Sequence, residues 1–136
     1  MTPAPGVVRA LLREIRAAGG ATFGPSGQPA DPGDRWLFPR HPGRTLILEP
    51  AADWEAGLRA FLQQHGPLLG EGGCGWAALG AWIHPGGCLY LDIVAGCRSR
   101  DRAVREALRA GRREGRPVAA IYQASSGQTL TLPPPG

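Results

Sequence analysis

Two apolar runs, residues 76–83 and 88–95, are separated by His84 and then Pro85, Gly86 and Gly87. Nothing else in the chain restricts its fold as tightly. Short apolar runs bounded by turn residues and free of internal proline read as strands, and a three-residue Pro/Gly loop closes them into a hairpin. Pro85 suits an early turn position and Gly87 the left-handed position that makes a bulge. This loop pairs His84 with Cys88, Trp82 with Tyr90 and Gly80 with Asp92. Leu79, Ala81 and Ile83 then share a face with Leu89, Leu91 and Ile93, and a slip of one residue would scatter that face.

An apolar sheet face must be covered, and three segments have the period to cover it. Residues 7–18 carry Val7, Val8, Leu11, Leu12 and Ile15 at helical spacing, with Arg9, Arg13 and Arg16 opposite and Gly19-Gly20 as the stop. A second helix starts at Pro50 or Asp53, sets Trp54, Leu58, Phe61 and Leu62 along one face, and ends by Gly66-Pro67. A third begins at Ser99 or Asp101 and stops at Gly115, with Pro117 just beyond. Weaker strands are expected at 35–38 and 45–48, and a last hairpin at 118–123 and 129–132 turns through Ser125, Ser126 and Gly127. The five prolines between Ala21 and Gly43 leave the rest of that stretch as loop. The strand–helix–strand order from Cys88 to Gln123 admits a crossover. The expectation is one α+β domain over 1–136: three helices on a mixed, mainly antiparallel sheet of five to six strands, with 133–136 a frayed tail.

Composition narrows the function classes. All 15 basic residues are Arg, and the net charge of +4 is within the range of ordinary soluble domains. An odd count of three cysteines and the lack of an apolar leader point to a cytoplasmic protein with free thiols. No apolar run approaches the roughly 20 residues of a membrane helix. Cys74, His84, Cys88 and Cys97 lack the paired spacing of zinc ribbons and fingers, so no metal is expected. There is no phosphate-binding loop and no nucleophile elbow, and no cofactor is expected. The Gly-rich run 70–75 precedes a strand instead of opening a helix, and so does not cradle a pyrophosphate. His41 in its Pro/Gly loop and His65 at a helix end read as structural or solvated.

Two features could carry function. Arg102, Arg105, Arg109, Arg112 and Arg116 recur at steps of 3, 4, 3 and 4. At about 100° per residue they fall within an arc of roughly 80°. From Arg98 to Arg116 eight Arg face Asp101, Glu106 and Glu114, a local balance of 8 − 3 = +5. Guanidinium forks bind phosphate or carboxylate oxygens bidentately and hold their charge at any working pH. Such a ridge suits a nucleic-acid backbone or an acidic protein surface. The bland reading is a solvated helix face built of good helix formers.

The second feature is the other face of the hairpin, where Trp76, Trp82, His84, Cys88, Tyr90 and Asp92 all point one way. This face is open to three readings. His84, Tyr90 and Asp92 could serve a small metal-independent nuclease or transferase, with His84 as acid or base. The rings of Trp76, Trp82 and Tyr90 could instead form an oligomer interface in a structural subunit. Or a helix of the same chain covers them as core.

Leu79-Gly80-Ala81-Trp82, Leu89-Tyr90-Leu91-Asp92-Ile93, the pair Gly111-Arg112 and Ala119-Ala120-Ile121-Tyr122 together resemble a poorly characterised domain of actinobacterial phage and mobile-element proteins. The likeness covers the second half of the chain. It departs at the turn 84–87, where that pattern is acidic or amide-rich, and at Gln123, where an Asp is usual. The resemblance implies a small accessory protein and supplies no reaction. The reading favoured by the residues is a binding protein that uses the Arg-rich helix.

Overall fold

The computed structural model describes residues 4–24, 26–69 and 76–133. Cys74, the Gly-rich run 70–75 and most of the expected frayed tail lie outside the described residues. Helix α1 (Pro5–Ala18) carries Pro5 in its first turn and ends at Gly19, whose φ of 81° makes a left-handed cap that glycine adopts at no steric cost. Helix α2 (Trp54–His65) is capped by Asp53, whose carboxylate accepts from Ala56 N at 3.1 Å. Helix α3 (Arg100–Glu114) is capped by Ser99, accepting from Arg102 N at 3.2 Å, and stopped by Gly115 at φ 67°.

Among the described residues seven strands form one sheet: β1 (Gly20–Phe23), β2 (Trp36–Pro39), β3 (Leu46–Leu48), β4 (Ala77–Ile83), β5 (Leu89–Cys97), β6 (Ala120–Gln123) and β7 (Gln128–Thr131). The order is β1-β4-β5-β2-β6-β7, and β3 also pairs with β5. The central hairpin has the register read from its turn: Trp82 faces Tyr90 and Gly80 faces Asp92. His84 N donates to Cys88 O, Gly87 N donates to His84 O, and Gly87 takes φ 94°.

Two expectations are corrected. The sheet has seven strands, more than the five or six expected. The extra strand is β1, which starts directly after the helix stop; Gly20 sits opposite Trp82. A Cβ on Gly20 would come within 2.9 Å of Ala81 O, so the close approach hides a strand start inside a helix-stop signal. The sheet is also antiparallel at every described pairing, and is not mixed. The crossover through α3 does connect two parallel strands, β5 and β6, but β2 lies between them and is antiparallel to both.

All three helices cover one face of this sheet. Leu79, Ala81, Leu89, Leu91 and Ile93 pack under α1 and α2 with Ile15, Leu58 and Phe61. Ala95, Cys97, Trp36, Phe38 and Ile121 pack under α3 against Ala103 and Ala107. The small residues on α3 let it lie close to the sheet, and each aliphatic chain fully buried here stabilises by about 1.5–3 kcal/mol.

Candidate functional site

On β5 the burial alternates, so Tyr90, Asp92 and Val94 point away from the helices. One cross-strand row on that open face runs Trp82, Tyr90, Ile47. Further along, Gly96, Leu37 and Tyr122 form another row on the same face. The large apolar side chains that stand exposed among the described residues are Ile47 (44%), Trp82 (52%) and Tyr122 (45%), and all three lie on this face.

Trp82, His84 and Tyr90 form one ring cluster. His84 lies 4.3 Å from Trp82 and 4.5 Å from Tyr90, centroid to centroid, and Trp82 lies 6.3 Å from Tyr90. Trp76 packs over Gly96, where a Cβ would lie 2.9 Å from its ring, and Arg35 sits 5.4 Å from the Trp76 ring centroid. Asp92 lies on this face too, but its carboxylate accepts from the Thr45 hydroxyl. Burial pushes the Asp92 carboxyl above its usual range, against the pull of that hydrogen bond and of Arg116. His84 and Tyr90 thus share an open platform, with Asp92 tied to Thr45 beside it. Cys88 and Cys97 differ by nine positions on β5 and its turn. They therefore point to opposite faces about 30 Å apart and do not converge on one ion.

The arginine ridge lies on the other side of the molecule. Ala103, Ala107, Ala110 and Gly111 are the buried stripe of α3. Arg102, Arg105, Arg109 and Arg112 are exposed, turned away from the sheet. Arg109 pairs with Glu106 at 3.4 Å. Among the described residues no carboxylate lies within 4.0 Å of Arg102, Arg105 or Arg112. Arg116 does not continue the ridge, because the left-handed Gly115 ends the helix before it. It stands close enough to draw on Asp92 instead.

Two arrangements were not evident from the spacing of the residues. Between β2 and β3 the chain bulges out of its pairing with β5 through a 3-10 turn at Pro42–Arg44. The C-terminal turn of α3 holds that bulge. Glu114 accepts from His41 Nδ1 and from Gly43 N, both at 2.8 Å, and Arg113 donates to Arg40 O at 2.9 Å. Despite desolvation, the hydrogen bonds from His41 and Gly43 hold the Glu114 carboxyl below its ordinary range. His65 is buried near this corner, and its Nδ1 has no hydrogen-bond partner among the described residues. Its pKa is pulled down by burial and by the charges of Arg44 and His41.

The second arrangement is a groove of about 410 Å³ beside the ridge, lined by Leu108, Gly111, Arg112, Gly115, Pro117, Val118 and Pro133. Gly111 is among its lining residues and has no side chain. A Cβ there would come within 3.2–3.3 Å of the backbone at 116–118, so the chain can fold back against α3. The helical period groups Leu108 with Ala103, Val104, Ala107 and Gly111 on the apolar face of α3 and gives no sign of the groove.

No known protein family, curated protein or solved structure matches this chain.

Proposed function

We propose that the protein is a binding module without catalytic activity, and that its α3 arginine face holds a polyanionic partner, either nucleic-acid backbone or an acidic protein surface. One observation carries this reading. Four guanidinium groups stand exposed in one arc, and only Arg109 has a carboxylate partner among the described residues. Unneutralised guanidinium groups on a rigid helix are preorganised to take phosphate or carboxylate oxygens in pairs.

Titration of a short duplex and a single strand, at low and at moderate salt, tests the nucleic-acid arm. Binding should fall steeply with salt. The double substitution Arg105→Glu, Arg109→Glu should abolish it while circular dichroism shows the helices intact. Affinity untouched by that substitution would end the reading.

A second reading has its own observation. Ile47 and Trp82 are exposed in one row of the open sheet face on either side of Tyr90, with Tyr122 exposed further along the same face, and exposed apolar groups of this kind mark interaction surfaces. As a structural subunit the protein would associate through that face, and light scattering would give a defined oligomer that Trp82→Ser dissolves. A nuclease or transferase centred on His84, Tyr90 and Asp92 would instead lose turnover in a folded His84→Ala variant.

A further inference from the structure

The ridge and the groove are neighbours, since Arg112 belongs to both. Leu108 lies three residues after Arg105 and four before Arg112, so all three share one flank of α3. Arg112 itself lines the groove. Its other walls are Pro117, Val118 and Pro133, with Leu108 packed at the margin of the core under α3. Cationic groups therefore border an apolar trough.

A phosphodiester backbone would use the cations and leave the trough empty. A nucleobase placed there would bury polar edges against Leu108, Pro117, Val118 and Pro133, none of which offers a side-chain donor or acceptor. Among the described residues the lining holds no aromatic ring on which a base could stack. An aliphatic side chain suits the trough, and carboxylates beside it suit Arg105 and Arg112.

We propose that this groove and the guanidinium groups of Arg105 and Arg112 form one docking site for a peptide segment of a partner protein, carrying Asp or Glu next to Leu-type side chains. The proposal rests on the arginine-face reading and narrows it to a protein partner. The charge pattern gives attraction and orientation, while burial of the aliphatic anchor gives most of the discrimination.

The test uses three fluorescent probes: a short peptide with Glu and Leu at helical spacing, an oligoglutamate of the same length, and a short DNA duplex. They are titrated against the wild-type chain and the single variants Arg112→Glu, Leu108→Gln and Pro133→Gln. Pro133 is exposed, so its variant keeps the test valid should Leu108→Gln unfold the protein. The Glu/Leu peptide should bind most tightly. Its affinity should fall about tenfold in Leu108→Gln and in Pro133→Gln, equivalent to about 1.4 kcal/mol. Oligoglutamate binding should not change in those two variants, and Arg112→Glu should weaken both peptides.

Equal affinity for the two peptides, or a Glu/Leu affinity unmoved by the apolar variants, overturns the docking site. So does duplex binding tighter than either peptide. In each of those cases, loss of binding in Arg112→Glu would keep the arginine-face reading alive. If no probe binds at low salt, both readings fall together.

Discussion

Replacing Glu114 by Ala removes the group that anchors the bulge between β2 and β3. Two donors lose their acceptor: His41 Nδ1 and Gly43 N, each at 2.8 Å. Hydrogen bonds to a charged group contribute about 1.5–3 kcal/mol each. Gly43 N is accessible to water once the carboxylate is gone, and the nearby Arg113 contact at 3.6 Å is half-exposed and worth little. The lower end of the range applies to His41 and less than that to the solvent-accessible Gly43 N, so the loss should be about 2–3 kcal/mol. For a chain of this length about 4 °C of Tm follows each kcal/mol, giving a fall of roughly 8–12 °C.

The pH dependence has a definite sign. The folded-state pKa of Glu114 is depressed, so its stabilisation is present above the ordinary glutamate value and disappears as pH falls through the folded pKa. Urea unfolding of wild type and Glu114→Ala at neutral pH and near pH 3 checks both statements, and the two proteins should converge in acid. A cycle with His41→Ala should show coupling of about 1 kcal/mol. A neutral-pH loss below about 0.5 kcal/mol, the level of an ordinary surface substitution, would refute the idea that Glu114 anchors the bulge. So would a loss that is equally large in acid.

Three further outcomes follow from single positions. Asp92→Asn should raise stability at neutral pH. The carboxyl is pushed up by burial, so its penalty is present once pH exceeds the folded pKa, and the amide oxygen can still accept from Thr45; denaturant midpoints at neutral and acid pH decide it. His65→Leu should stabilise, by an amount that grows as pH falls below the ordinary histidine value. The wild-type ring resists protonation in the fold and buries an Nδ1 that has no partner among the described residues, and thermal melts between neutral and mildly acid pH would expose a mistake. Gly111→Ala should cost about 1–3 kcal/mol despite alanine's better helix propensity, because its Cβ meets backbone at 3.2 Å; a variant as stable as wild type would mean the chain at 116–118 can yield.

Local chemistry made much of this molecule readable from its residues. The turn Pro85-Gly86-Gly87 and the alternation on either side specify the pairing Trp82–Tyr90, since only one register gathers Leu79, Ala81, Leu91 and Ile93 on a single face. Ser99 and Gly115 bracket α3, and the 3.6-residue period turns Arg102, Arg105, Arg109 and Arg112 outward. Those signals act over a few residues and survive without knowledge of the rest of the chain.

Long-range packing decided the remainder. β1 was hidden because Gly19-Gly20 stops a helix and starts a strand in consecutive residues, and only the partner Trp82 reveals the second role. The slot of β2 between β5 and β6 depends on which edge of β5 stayed unpaired, so residue spacing pointed to a mixed sheet where the fold has antiparallel neighbours. Glu114 meets His41 across 73 positions of sequence, a distance no periodicity can signal. The side of the sheet the helices chose settled the two candidate surfaces. With α1, α2 and α3 all on one face, Trp82 and Tyr122 stand exposed on the other, and the arginine ridge points the opposite way.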